Sequence, residues 1–490
     1  MIGKKFYYNE IPYFIITFVH PHTDIFTYFV FLWCQAPGGY FLESKTDKWS
    51  SKLGFILSSA GAAIGLGAIW KFPYVTGMSG GGAFFLIFII FTLLIGLPML
   101  VSEFIIGRGS GKEAISAYKK LAPDSLWVNL GRLGVVGCFL LLSFYCVVGG
   151  WVFLYSLLSI PGKVIEEGAN YPELFGSIIS SPTITILGLA IFLLVNIIVV
   201  AMGVQNGIEK ANKYMMPLLF IFFIILVIRS LTLDGAMEGV KFFLQPDFSK
   251  ITSESILYAL GQSFFALAVG FSCMVTYSSY LDKNVSIPAS ANSVVWMNIF
   301  VSLLAGLAIF PVVFSFGLEP AEGPGLLFIV LPTVFGQLPF GEVFLSLFLI
   351  LFLFATLTSS FSLLEIIVAA FTANGKHSRK KVSWIAGIIV FFAGIPAALS
   401  SSWLAEFKWF NRTIFDLTDF LVSNMMLPLG NLLIAFFIMH RMNRELIKSE
   451  FFQANTLSQT TFTAWKFLMQ WMVPILIIVV FLSTSGFIKE

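Results

Sequence analysis

The stretch SSAGAAIGLGAIWKFPY, residues 58–74, lies inside an apolar run long enough to cross a membrane, yet it carries glycines at 61, 65 and 67, a lysine at 71 and a proline at 73. A helix in oil must satisfy its own backbone N–H and C=O groups, because no water is there to do so. Residues that loosen a helix therefore mark either the close packing of a neighbour or an interruption that lines a cavity. A second stretch of the same kind, GQSFFALAVGFSCM at residues 261–274, follows in the other half of the chain.

Composition sets the frame for both. Of 490 residues, 58% are hydrophobic and 11% charged, against about 25% charged in a soluble domain, and the mean hydropathy is +0.90. The chain reads as an all-α integral membrane protein. Its 29 Lys and Arg against 26 Asp and Glu leave a charge of +3, which gives no basis for nucleic-acid binding. Cys34, Cys138, Cys146 and Cys273 have neither paired nor metal-ligand spacing and read as small core residues. His20, His22, His377 and His440 form no cluster with catalytic spacing, so the chain is not expected to be an enzyme.

Apolar runs of roughly 20 residues centre near Gly65, Thr92, Phe144, Ile191, Ile221, Ala268, Leu304, Phe354, Ile389, Leu427 and Pro474, predicting eleven transmembrane helices. Charge placement tests that count. With Lys48 cytoplasmic, sixteen Lys and Arg fall in the even-numbered connections, from Arg108 to Lys466, and only seven, among them Lys163, Arg229 and Lys408, in the odd ones and the C-terminal tail. The positive-inside rule then places the N-terminus in the cytoplasm and the C-terminus outside a plasma membrane.

The run from Ile11 to Trp33 is broken by Pro12, His20, Pro21, His22 and Asp24, and it lacks the organisation of a signal peptide. Residues 1–44 read as an N-terminal extension, either disordered or upstream of the true start. Gly38 and Gly39 can be encoded by a purine-rich ribosome-binding stretch, with Leu42 a non-standard start a few codons later. An intact mass beginning at Met1 would exclude that second reading.

The ten helices after Trp49 divide into two sets of five, each opening with an interrupted helix, and five crossings between them force opposite orientations. Paired interruptions of this kind point to a transporter of inverted repeats with its site at the midplane. Residues 45–490 then form one transporter domain: repeat one about 50–232, repeat two about 254–440, and an extra helix about 464–485. Unwinding frees carbonyls for a small cation and N–H groups for a carboxylate. Close helix packing remains the alternative for either glycine run taken alone.

Five segments taken in order, WSSKLGFILSSAGAAIGLGAIWKFPY, GGGAFFLIFIIFTLLIGLPMLVSEFIIGRGSG, SFYCVVGGW, SFFALAVGFSCMVTYSSYL and ATLTSSFSLLE, resemble the neurotransmitter:sodium symporter family, in particular its bacterial eleven-helix amino-acid transporters with the leucine-transporter fold. The resemblance implies sodium-coupled import of a neutral, hydrophobic amino acid by alternating access. Sodium-independent or proton-linked transport or exchange is the alternative coupling, and an amino-acid sensor without transport is the alternative of another class. The assembly is expected to be a monomer or weak dimer in the lipid bilayer.

By the same resemblance, the family's second sodium site is similar to a cage of the Gly61, Ile64 and Ala355 carbonyls and the Thr358 and Ser359 hydroxyls. Five neutral oxygens suit a monovalent hard cation better than calcium. Those hydroxyls can equally bond back to carbonyls one turn earlier. The first sodium site is depleted: Ala68 and Ala266 stand where the family places side-chain oxygens, leaving the Ala63 and Ala266 carbonyls, Asn298 and the substrate carboxylate. Chloride is not expected, because Phe88 and Ala266 replace two of the donors that Gln262, Asn298 and Ser302 would need beside them.

The resemblance puts the substrate carboxylate near Ala63, Leu66 and Gly67, with Tyr145 donating its hydroxyl, and the amino group against carbonyls of Ala62, Phe265 and Ala266. The side chain is expected among Leu141, Phe265, Ala268, Phe271, Ser359 and Leu363, residues that can also be ordinary helix–helix core. Lys71 and Asp419 occupy the positions of an outer ion-pair gate, over a lid of Tyr145 and Phe265, although Lys71 can instead snorkel to the interface. The family's inner pair is absent, since Thr46 and Ala373 stand at its positions; Lys45 or Lys48 with another acid are the candidates. Glu103 and Glu365, inside apolar runs, are expected to be buried and hydrogen-bonded.

Overall fold

Apolar chain that must bond to itself becomes helix, and only a surrounding set of side chains lets such a helix stop at membrane depth. The computed structural model describes residues 48–160, 162, 164, 170–318, 326–454 and 457–484, all within the unit Glu43–Glu490. The N-terminal extension expected over residues 1–44, with Cys34, His20 and His22, lies outside the described residues, as do Lys45 and Thr46.

The helices that position the site are α1 (Lys52–Ala63), α2 (Gly67–Met78), α3 (Gly82–Ser110), α4 (Val128–Ser159), α5 (Pro182–Ala201), α6 (Val204–Leu231), α7 (Ser253–Phe265), α8 (Cys273–Ser279), α9 (Ile287–Ser315), α10 (Gly341–Thr372), α11 (Arg379–Ala398), α12 (Ile414–His440), α13 (Arg444–Phe452) and α14 (Gln459–Val479). Nine of them are long and apolar enough to cross a membrane singly, and α1 with α2 makes a tenth span bent by 51°. The sixth expected span is the pair α7 and α8, each too short alone and separated by residues 266–272.

Side-chain oxygens fix several helix starts: Ser51, Ser286, Ser378 and Thr413 each accept the N–H three residues on. Burial then sorts the spans by depth. The most apolar window of α4 is 78% buried and that of α6 only 28%, so α4 is a central column and α6 presents most of its surface outward.

The parity of the count is visible in long-range contacts. Lys48 reaches Asp282 at 3.3 Å, Ser50 N donates to Glu209 at 2.8 Å, Arg108 donates to Val285 O and pairs with Glu450, and Arg379 donates to the Val200 carbonyl at 2.8 Å. Each joins the N-terminal segment or an even-numbered connection to another even-numbered one. Odd connections meet at Gly81 and Pro246 on the other face. A miscounted span would have mixed the two sets.

Both breaks are held open by named groups. In the first, Ile64 (φ −89°, ψ 86°) leaves the helical region, so the interruption falls at Ile64 and Gly65. That lies between Ala63 and Leu66, two of the residues expected near the substrate carboxylate. A Cβ on Gly65 would come within 2.2 Å of Ser359 Oγ and 2.7 Å of the Tyr145 hydroxyl, so the chain turns where it has no side chain. Pro73 sits in the first turn of the regular α-helix that follows a wider π-helical turn, where its missing N–H costs little.

In the second break, Ala268 (φ 52°), Gly270 (φ 107°) and Ser272 (φ 57°) are left-handed, and no right-handed helix continues through them. Glu103 of α3 accepts the Gly270 N–H at 2.6 Å and the Met274 N–H at 3.2 Å, Asn431 of α12 donates to Val269 O at 3.2 Å, and Asn298 of α9 donates to Ala266 O at 2.7 Å. The freed backbone is thus satisfied by three different helices.

Candidate functional site

Between the two breaks lies a cavity of about 40 Å³, room for a few waters. Ala62, Ala63, Leu66 and Gly67 line it from the first span, Leu141 and Tyr145 from the third, Phe265, Ala268 and Phe271 from the sixth, and Ser359 and Leu363 from the eighth. These are all the residues expected around a substrate except Ala266, which is fully buried and whose carbonyl is taken by Asn298.

Gly65, Cys138, Cys273 and Leu427 also line the cavity. Cys138 was legible, because it precedes Leu141 by three and Tyr145 by seven residues on one face of α4; it is lining and not plain core. Leu427 and Cys273 follow an irregular turn and a break, where no periodicity carries the signal.

Helix ends give the cavity its polarity. α1 and α7 end there and α2 and α8 begin there, so two partly negative and two partly positive termini converge. Glu103, fully buried, already occupies the start of α8. That leaves the start of α2, where the Leu66 N–H donates to the Tyr145 hydroxyl oxygen at 3.3 Å. The phenol and the Ser359 hydroxyl both stand against the Gly65 position.

On the α10 side, the Ser359 hydroxyl lies 2.9 Å from Gly61 O and 3.0 Å from Ala62 O, so it reaches across to the broken span. The Thr358 hydroxyl does bond back, to Ala355 O at 3.0 Å, yet its Cβ would stand 3.0 Å from a Cβ on Gly61. Gly61, Ala355, Thr358 and Ser359 are therefore gathered at one place. These are neutral oxygens with no carboxylate, a donor set suited to a monovalent cation.

On the α9 side the arrangement is poorer. Asn298 spends its amide N–H on Ala266 O, and its Oδ1 is buried without a hydrogen-bond partner among the described residues. Ala68 offers only a methyl group. Gln262 donates to Gly67 O at 2.6 Å, Phe88 packs on Phe72 with ring centroids 5.1 Å apart, and the buried Ser302 hydroxyl has no partner among the described residues.

The expected outer ion pair is not formed. Lys71 lies over the Phe265 ring, 5.2 Å from its centroid, and Asp419 accepts from Ser423 at 2.7 Å. A cation over an aromatic face and a hydroxyl one turn away satisfy the two charges separately. Phe265 in turn covers Gly67, where a Cβ would meet its ring at 2.7 Å. On the cation-rich face, Lys48 pairs with Asp282, the Trp49 indole donates to Tyr277 O at 2.8 Å, and Ser50 and Lys213 hold Glu209. Deeper in, Glu365 is paired with Arg379 and accepts from Tyr280 at 2.9 Å. These contacts close the side on which the sequence supplied no pair.

Two broken helices around a small central cavity, with a cluster of neutral oxygens on one flank, define a secondary transporter and not an enzyme. The chain belongs to the sodium:neurotransmitter symporter family, whose model matches residues 46–166 and 174–488. It is 53% identical over 448 residues to the sodium-dependent transporter YhdH of Bacillus subtilis, covering 91% of this chain and 99% of that one. It is 38% identical to a sodium-dependent transporter of Haemophilus influenzae, covering 90% and 98%. Among solved structures it is similar to MhsT in complex with L-phenylalanine, with 39% identity and a TM-score of 0.84 over 90% of this chain and all of that one.

Proposed function

We propose that this sodium-dependent transporter carries a neutral, hydrophobic amino acid inward together with sodium by alternating access. The observation that carries the reading is the start of α2, where the Leu66 N–H meets the Tyr145 hydroxyl, at the edge of a cavity lined also by Leu141, Phe271 and Leu363. A carboxylate fits the first and an apolar side chain the second. The substrate amino group faces the carbonyl ends of α1 and α7. L-phenylalanine in the related MhsT is a ligand of this chemistry.

Sodium binds as co-substrate in the cage of Gly61, Ile64, Ala355, Thr358 and Ser359. Its charge lies beside the end of α1, so binding holds α1 against α10 and favours the conformation that receives the amino acid. The cation-rich face is the cytoplasmic one, and the protein works as a monomer or weak dimer in the plasma membrane. Release inward requires the contacts of Lys48, Trp49 and Ser50 to part.

Uptake of labelled phenylalanine, leucine and tryptophan into proteoliposomes, with an inward sodium gradient or with potassium replacing sodium, tests the reading. Accumulation only with the sodium gradient is expected. Equal uptake in potassium would favour sodium-independent or proton-linked transport, and binding without uptake would favour a sensor.

A further inference from the structure

Asn212 of α6 is fully buried, and neither its Oδ1 nor its Nδ2 has a hydrogen-bond partner among the described residues. A buried amide with both ends unmatched is costly, and turning it over exchanges one unmatched atom for the other. Its position is specific. A Cβ built on Gly61 would lie 2.8 Å from Asn212 Oδ1 and 3.0 Å from Thr358 Cβ, so the amide oxygen and the Thr358 side chain converge on Gly61 from opposite helices. The amide oxygen therefore borders Gly61, the residue whose carbonyl is one of the cage oxygens, on the side where Thr358 also packs.

We infer that Asn212 supplies a sixth oxygen to the sodium ion, closing the cage from the fifth span, which contributes none of the other five. This rests on the placement of sodium between Gly61, Thr358 and Ser359 proposed above. It gives the buried amide oxygen a partner and raises the shell from five oxygens to six. The site then draws on the first, fifth and eighth spans, so sodium holds three helices together and not two.

The test is sodium-dependent thermal stabilisation of the purified full-length protein, without amino acid, titrated with sodium chloride against potassium chloride. Asn212→Leu keeps the branched side-chain shape and removes the oxygen, and it is expected to raise the half-saturating sodium concentration about tenfold. Asn212→Asp retains an oxygen and is expected to leave that concentration unchanged or lower it. Thr358→Val with Ser359→Ala is the control and should remove the sodium response. If the control loses the response while both Asn212 variants stay within about twofold of the unaltered protein, Asn212 is not a ligand and the cage stands. An unchanged control overturns the cage and this inference together. If Asn212→Leu does not fold, Asn212→Asp decides: a large rise in half-saturating sodium would contradict an oxygen-ligand role.

Discussion

The two flanks of the first break, toward α10 and toward α9, differ in what they offer an ion. Toward α10, Ser359 reaches Gly61 O and Ala62 O, Thr358 lies against Gly61, and Asn212 stands unmatched beside them. Toward α9, the Asn298 N–H is committed to Ala266 O, and Ala68 and Ala266 carry only methyl side chains. One flank gathers several neutral oxygens, and the other has one unmatched amide oxygen. A cation without its shell in a dry site costs several kcal/mol, and this difference supports the proposed placement of the coupling ion on the α10 flank.

The largest effect is expected from breaking the better flank. Thr358→Val with Ser359→Ala nearly preserves volume and removes two oxygens, and sodium-dependent binding of labelled amino acid should fall below detection while the protein stays folded. The corresponding change on the other flank, Asn298→Ala, should shift half-saturating sodium by less than about threefold. Equal losses from the two would erase the contrast.

Tyr145→Phe sharpens the distinction between ion and substrate. It removes the hydroxyl that accepts the Leu66 N–H and should weaken amino-acid binding roughly tenfold, the scale of one hydrogen bond to a charged group. Half-saturating sodium in the absence of amino acid should not change. A matching loss in sodium affinity would place the phenol in the ion site.

The smallest effect is expected at the closure over the cavity. Lys71 contacts the Phe265 ring and not Asp419, and a partly exposed cation–π contact contributes about 0.5–1 kcal/mol. Lys71→Ala should slow uptake by less than about fivefold, and Asp419→Asn by no more. A loss of a hundredfold in either would mean that the two charges do pair during the cycle.

The breaks were legible because glycine, proline and lysine are expensive inside an apolar run, and the parity of the spans because basic residues cluster on alternate connections. The cavity lining, with Leu141, Tyr145 and Ser359, was legible only through the resemblance to the symporter family. Partners distant in sequence were not legible. That Glu103 would satisfy Gly270 and Met274, or that Lys48 would choose Asp282, depends on packing that no local pattern records. The separate partners of Lys71 and Asp419 show the same limit, since two opposite charges in suitable positions say nothing of a ring between them. Asn212 gave no signal at all, because an asparagine in a helix facing other helices is ordinary until its neighbours are known.

The central claim is that one sodium ion, bound on the α10 flank, is coupled to the inward movement of an amino acid. Simultaneous measurement of labelled sodium and labelled phenylalanine flux into proteoliposomes tests it most directly. One sodium ion per amino acid, with a sodium Hill coefficient near one, is the predicted result. Two sodium ions per amino acid would contradict the contrast between the flanks, and amino-acid uptake with no accompanying sodium would contradict the coupling itself.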